Sequence, residues 1–275
     1  MELTVLMENE SRREGLSGAH GLSVWVQAAD VRLLFDTGPN EVFLQNAGTL
    51  GIDLSSVTAA ALSHNHWDHT GGLPFLLDAL DRPILLHTGK FFFRDKYAQE
   101  GDARRKLSHL SRQALNGWDV AITEVGDPPL HLGGGLYLMG GWDTSYPFEI
   151  PDPHYVVEGK GGYITDPFTE EIALVHEGDA ELALLSGCAH PGIAGMVRKV
   201  TEVFHKPVHT LLGGVHLMNA PRERVEKTAE ALSNLGVKTL GLAHCSGEAI
   251  RKVWEKKYGY VADFHVGDRV VVEVA

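Results

Sequence analysis

The sequence predicts an α/β fold, and three observations carry that prediction. Residues 57–62, 74–80 and 83–87 read as strand, helix and strand with short connections, an order that belongs to layered α/β domains. From residue 182 onward a strand followed by a helix occurs three times in succession. Near the start, apolar and polar residues alternate with period two, as in half-buried strands.

Composition narrows the function classes. The 275 residues suffice for a substantial core, and 44% apolar with 22% charged residues is ordinary for a globular protein. A formal net charge of -12 argues against nucleic acid, whose binding needs positive surface to release counterions. No apolar run approaches the roughly 20 residues that span a bilayer, and the first residues lack a basic and an apolar signal region, so no membrane association and a cytoplasmic location are expected. Two cysteines, Cys188 and Cys245, make no disulfide framework; each sits close to a His.

Taken in order, residues 3–7 form a short apolar strand, and the polar, Gly-containing stretch 11–20 an exposed loop near a cleft. Residues 22–27 and 31–35 make a hairpin that ends in Asp36, Thr37 and Gly38. Residues 41–50 carry Val42, Phe43, Leu44 and Ala47 at helical spacing, with Gly48 and Gly51 punctuating the end. A strand over 57–62 then runs into the richest stretch of the chain. Basic and aromatic residues crowd 89–118, among them Lys96, Arg104, Arg105, Lys106 and Arg112. That pattern fits a solvated helical surface with a few core aromatics, or a substrate wall holding a carboxylate or phosphate. Residues 130–139 read as a hairpin around three glycines, and the Pro-rich segment 142–162, without helical period, as a lid or a disordered insert. Strands at 182–185, 208–212 and 239–243 each lead into a loop bearing a His, at His190, His216 and His244, and then into a helix.

The rich stretch is 63–72, where His64, His66, Asp68 and His69 lie within six residues between a strand and a glycine pair. One stray His pair would mean little among 15 His. Four donors at the end of one strand can aim at a single point, and imidazole with carboxylate suits borderline metals such as Zn(II). In open α/β sheets ligands gather at the carboxyl ends of strands, so His190, His216 and His244 are candidates to complete the site. Seven donors exceed the needs of one tetrahedral ion and favour two. His216 also suits a proton donor, a substrate contact or simple packing. Cys245, following His244, is expected to face the core. Asp36 is either a plain turn residue or a support that orients the ligand loop.

The His-x-His-x-Asp-His spacing resembles the metallo-β-lactamase superfamily. With Gly187-Cys188-Ala189-His190-Pro191-Gly192, Gly213-Gly214-Val215-His216 and His244-Cys245-Ser246-Gly247, and with Glu8-Asn9 near the start, the chain is similar to the branch of ribofuranosylaminobenzene 5'-phosphate synthase-related, dihydropterin-linked proteins. The resemblance covers essentially the whole chain and implies a four-layer αβ/βα sandwich, one domain over 1–275, with a lid or substrate-wall insert within 89–162. It implies His64, His66 and His190 on one metal and Asp68, His69 and His244 on the other, with Asp36, Glu8 and Asn9 as supports or substrate contacts. Many members carry an Asp where this chain has Cys188. Either Cys188 bridges as a thiolate, or it is a small buried residue and His190 is the ligand; His190 is the preferred reading.

The cofactors implied are two divalent ions, Zn first, with Mn or Fe as alternatives. Such ions lower the pKa of bound water and polarise substrate oxygen, and Asp68 would ligate and orient the nucleophile, with His216 beside it. The expected activity is hydrolysis of a small anionic substrate, a phosphoester or a cyclic ester or amide. The synthase resemblance implies instead attack at a phosphorylated ribose. An iron redox or sulfur-handling relative and a metal or ligand sensor without catalysis are further readings. The sequence does not fix an oligomeric state.

Overall fold

The early hairpin grows into a seven-stranded sheet. In the computed structural model, which describes residues 1–80, 82–143 and 146–274, its spatial order is Arg269–Val271, Glu2–Met7, Ser23–Ala28, Val31–Phe35, Ala59–Ala61, Ile84–Gly89 and Val120–Val125. The first four pair antiparallel, the rest parallel. A second seven-stranded sheet runs Tyr260–Ala262, Thr239–Leu242, Val208–Gly213, Leu182–Ser186, Ala173–Glu177, Leu136–Met139 and Leu130–Gly133. It too is half parallel and half antiparallel, the parallel half being the strand and helix repeat seen in the sequence.

Period-two alternation gives each sheet an inner and an outer apolar face. The inner faces meet through Leu3, Val24, Leu33 and Phe35 against Leu138, Leu174, Leu185 and Leu212. On the outer face of the first sheet, Trp25, Leu34 and Leu86 are covered by the helices Val42–Thr49 and Leu73–Ala79 through Phe43, Ala47, Leu73 and Leu76. On the outer face of the second, the helices Ile193–Phe204, Arg222–Asn234 and Glu248–Lys257 lay down Val197, Val200, Val225, Leu232 and Trp254. The result is the four-layer αβ/βα sandwich, with the sheets' carboxyl-end loops brought to a shared rim.

The region 89–162 departs from two expectations. No α-helix of the expected solvated surface forms among its described residues, only a single 3-10 turn at Gln113–Leu115. Instead Lys96–Glu100 and Ala103–Lys106 join Tyr155–Gly159 and Gly162–Thr165 in a third, four-stranded antiparallel sheet. Lys96 anchors it: the side chain is buried between Asp166 and Glu170, so the charge is paired rather than solvated. The Pro-rich segment correspondingly ends in a strand, and its stretch before Tyr155 borders a cavity. Thr144 and Ser145, inside that segment, lie outside the described residues, as do Asp81 and Ala275. No helix among the described residues is long and apolar enough to cross a membrane.

Candidate metal centre

The first half of the site grows from the strand Ala59–Ala61. Its chain turns at Ser63, and the short helix Trp67–Thr70 carries Asp68 and His69 back toward the sheet edge. Asp36, at the end of the neighbouring strand Val31–Phe35, fixes this loop from below. It accepts the Ser63 N–H and the Ser63 hydroxyl, each at 2.7 Å, and lies 2.7 Å from His69 Nδ1. Its φ of 57° puts it in the left-handed region, where Asp is better tolerated than most residues, and its contacts to Ser63 and His69 are those of a support beneath the loop.

The second half arrives from the other sheet. Gly187 lets it come close, since a Cβ there would meet Ser63 Oγ at 2.1 Å and Asp36 Oδ2 at 3.1 Å. Glu171 accepts the backbone N–H groups of Cys188, Ala189 and His190 and so shapes the loop that presents them. Burial pushes its carboxyl up to about 8, although those donors pull the other way. Glu8 accepts the His244 N–H at 2.7 Å, and Asn9 contacts the same residue twice, at its carbonyl and at Nδ1. Among the described residues, Asp36, Phe168, Ala189, His216 and His244 all have positive φ; backbone strain concentrates at this rim, as at many functional sites.

These supports decide which imidazole nitrogens are free. The Ser63 hydroxyl donates to Asp36 and therefore accepts from His64 Nδ1–H at 2.9 Å. His69 Nδ1 is tied to Asp36 and His244 Nδ1 to Asn9 Oδ1 at 3.0 Å. All three rings thus keep Nε2 available to the cluster, the arrangement in which outer partners fix the tautomer of metal-binding His. His64 Nε2 lies 3.3 Å from His190 Nε2, and His69 Nε2 lies 3.3 Å from His244 Nε2. Nitrogen ligands at 2.0–2.1 Å around a tetrahedral ion sit about 3.3 Å apart. His66 Nε2 is buried with no hydrogen-bond partner.

The donor set fits metal ions. His64, His66 and His190 bring their ligand atoms within 4.8 Å of one another, as do His20, Asp68 and His244. Cys188 makes further groups with His64 and His69, with His190 and His216, and with His244 and Cys245. It therefore lies between the two halves, with Sγ 3.3 Å from His69 Nε2. Cys188 and His190 both reach the cluster, so the two alternatives are not exclusive in position.

Electrostatics agree. Burial, followed by the neighbouring imidazoles, holds His64 and His190 well below the usual range, and His66 is depressed chiefly by burial; neutral rings offer lone pairs. Burial works against ionisation of Asp68, but His69 and His244 outweigh it and keep the carboxylate charged. Burial opposes a charge on His69 too, yet Asp36 and Asp68 prevail and hold it up at about 9. The pocket thus favours positive charge at a point where a cation can replace that proton.

Two sequence readings are overturned. Cys245 does not face the core: its sulfur groups with Cys188 and His244, receives the His216 N–H at 3.3 Å and lines the cavity. The residue follows the left-handed His244, φ 53°, rather than an extended one, so strand alternation does not apply to it. The 89–118 substrate wall fails as well. None of its basic residues borders the cavity above the cluster, and Lys106 and Arg112 are paired with Asp95 and Glu124. His216 does border the cavity, its ring 4.2 Å from that of His190.

Sequence reasoning missed four contributors. His20, in the loop placed near a cleft, lies 3.4 Å from Asp68. Tyr155 faces the rings of His66, His190 and His216, and burial pushes its hydroxyl upward, so it stays a donor. Phe168 stacks on His190 with ring centroids 4.0 Å apart, and Lys96 Nζ lies 4.5 Å from the Phe168 ring centroid. Glu171 is the fourth. None stands in a motif; only the isolated acid pair Glu170-Glu171 before an apolar strand hinted at buried charge.

Residues 17–185 match the family model described as Metallo-beta-lactamase superfamily. Over 244 residues the chain is 30% identical to a 7,8-dihydropterin-6-methyl-4-(beta-D-ribofuranosyl)-aminobenzene-5'-phosphate synthase of Methanocaldococcus jannaschii, covering 83% of this chain and 81% of that protein. The crystal structure of Tm1679, described as a metal-dependent hydrolase of the beta-lactamase superfamily, is similar with a TM-score of 0.86 and 29% identity over 100% of both chains. YhfI from Bacillus subtilis, a metallo-beta-lactamase fold protein, shares the fold with a TM-score of 0.62 and 14% identity over 98% of each chain. The chain belongs to the metallo-beta-lactamase superfamily.

Proposed function

We propose that the protein is a metal-dependent hydrolase of a small anionic substrate, a phosphoester or a cyclic ester or amide. The observation that carries this reading is the convergence of His64, His69 and His244 Nε2, each with its Nδ1 tied to a separate partner. His64, His66 and His190 would hold one ion, and Asp68, His69 and His244 a second, with Cys188 between them. Zn(II) suits this mixed nitrogen, oxygen and sulfur set best, with Mn or Fe as alternatives. When bound, the ions supply Lewis-acid activation of water and of a substrate oxygen.

The remaining steps belong to the chain. Asp68, held ionised at the cavity edge, accepts a hydrogen bond from the attacking water and orients it. His216 stands at the same cavity with Nδ1 buried and unpartnered. Burial resists a charge on His216, but the Cys245 sulfur raises its proton affinity, so it can hand a proton to a leaving oxygen. Tyr155, whose ring lies 5.8 Å from that of His216 at the same cavity, donates to substrate. The cavity, about 440 Å³, admits a small molecule rather than a polymer.

A second reading, a synthase-type transfer at a phosphorylated ribose, is favoured by the 30% identical relative's name. The test is a screen with bis-4-nitrophenyl phosphate and lactones on metal-loaded protein, alongside an arylamine and phosphoribosyl donor assay. Hydrolysis supports the first reading; arylamine consumption without hydrolysis replaces it with the second.

A further inference from the structure

Next to the cavity over the cluster lies a groove of about 820 Å³ between the Pro-rich segment and the helix Arg222–Asn234. Tyr146, Pro147, Phe148 and Leu235 give it an apolar lining. The two spaces are adjacent, and Ile150, Pro221 and Arg224 border both. The Pro-rich segment forms the wall between them and is pinned on two sides. Glu149 is buried and accepts the N–H groups of Ala194 and Gly195 at 2.8 and 2.9 Å, and Arg224 donates to the Ile150 carbonyl at 3.1 Å.

Arg224 is the point of interest. One of its amino groups is used on that carbonyl, while Nε is buried without a hydrogen-bond partner. Among the described residues no carboxylate lies within ion-pair distance of it, whereas its helix neighbours Arg222 and Lys227 are paired with Glu226 and Glu223. It is also the only Lys or Arg among the residues bordering the cavity over the cluster. Glu149 feels its charge without pairing to it, so a guanidinium bordering the cavity with no ion-pair partner offers a positive charge to a carboxylate, phosphate or sulfonate.

We propose that Arg224 and the adjoining groove form the specificity subsite, and that the substrate is an amphiphilic anion. Its reacting group sits over the cluster, its negative group on Arg224 and an aromatic or aliphatic portion in the groove. The inference rests on the hydrolase reading for what happens at the reacting group, but the subsite itself is a matter of binding.

The test is therefore equilibrium binding, followed by fluorescence, of 8-anilinonaphthalene-1-sulfonate and of the uncharged N-phenyl-1-naphthylamine to Zn(II)-loaded protein. Arg224→Gln is expected to weaken the sulfonate about tenfold or more, as loss of a charged hydrogen bond does, and to leave the amine unchanged. Ile150→Asp, at a largely exposed side chain bordering both spaces, is expected to weaken both. Circular dichroism and zinc content of the variants establish that each is folded and loaded. Sulfonate binding indifferent to Arg224→Gln, or no saturable binding of either probe, overturns the proposal. Turnover of bis-4-nitrophenyl phosphate is read separately: Arg224-dependent binding without any turnover upholds the subsite and defeats the hydrolase reading.

Discussion

Replacing Asp36 by Asn tests whether the cluster is assembled from beneath. Asn has the same shape and also tolerates the left-handed φ of 57° that Asp36 adopts, so backbone strain does not confound the result. The carboxylate is wholly buried and serves three donors, the Ser63 N–H, the Ser63 hydroxyl and His69 Nδ1, each at 2.7 Å. An amide supplies one acceptor oxygen and turns an NH₂ toward one of those donors. Each charged hydrogen bond lost is worth about 1.5–3 kcal/mol, so the folded protein is expected to lose about 3 kcal/mol. Ser63 also orients His64, so both halves of the cluster feel the change. Removing such an outer partner typically lowers metal affinity by about 10–100-fold. Competition with a chromophoric chelator measures that affinity, and thermal unfolding of metal-free protein measures the stability. Zinc affinity within twofold of the parent, in a folded variant, would show that Asp36 does not assemble the cluster.

Other perturbations probe separate links. Glu171→Ala leaves the N–H groups of Cys188, Ala189 and His190 without their buried acceptor; a loss of about 3 kcal/mol and reduced zinc content are expected, read by denaturant titration and elemental analysis. Lys96→Met strands Asp166 and Glu170 in the interior, which should cost about 3–5 kcal/mol, and chemical denaturation with a parental midpoint would contradict it. Cobalt-loaded protein should show a thiolate charge-transfer band that Cys188→Ser diminishes, since Cys188 groups with both halves of the cluster; an unchanged spectrum would place the sulfur outside the coordination sphere. His176, away from the cluster, is lowered by burial to about 4. Unfolding lets it take up a proton, so its contribution is intact above pH 6.5 and fades as pH falls toward 4. His176→Gln should flatten that part of the acid limb in thermal melts, and an unaltered limb would count against it.

Much of this architecture was legible because its signals are periodic. The alternation in 22–35 and the strand and helix repeats after 182 gave the two sheets and the covering helices. The ligand loop was legible because four donors at one strand end are improbable as packing. What was hidden lies where tertiary pairing overrides local pattern. Lys96 in a strand looks like surface until Asp166 and Glu170, some seventy residues away in sequence, close around it. Cys245 was misplaced because a left-handed His244 breaks the alternation on which the expectation depended. Glu171 and Phe168 act through backbone N–H groups and a ring face, and neither kind of contact leaves a motif.

We propose above that buried imidazoles held by Asp36, Ser63 and Asn9 bind metal for hydrolysis. The most direct test is turnover of bis-4-nitrophenyl phosphate and a lactone series by chelator-stripped protein reloaded stepwise with Zn(II). Stripped protein should be inactive, activity should return with metal, and Asp68→Asn should lose it at unchanged fold. Fully metal-loaded protein that turns over none of these substrates would contradict the proposal.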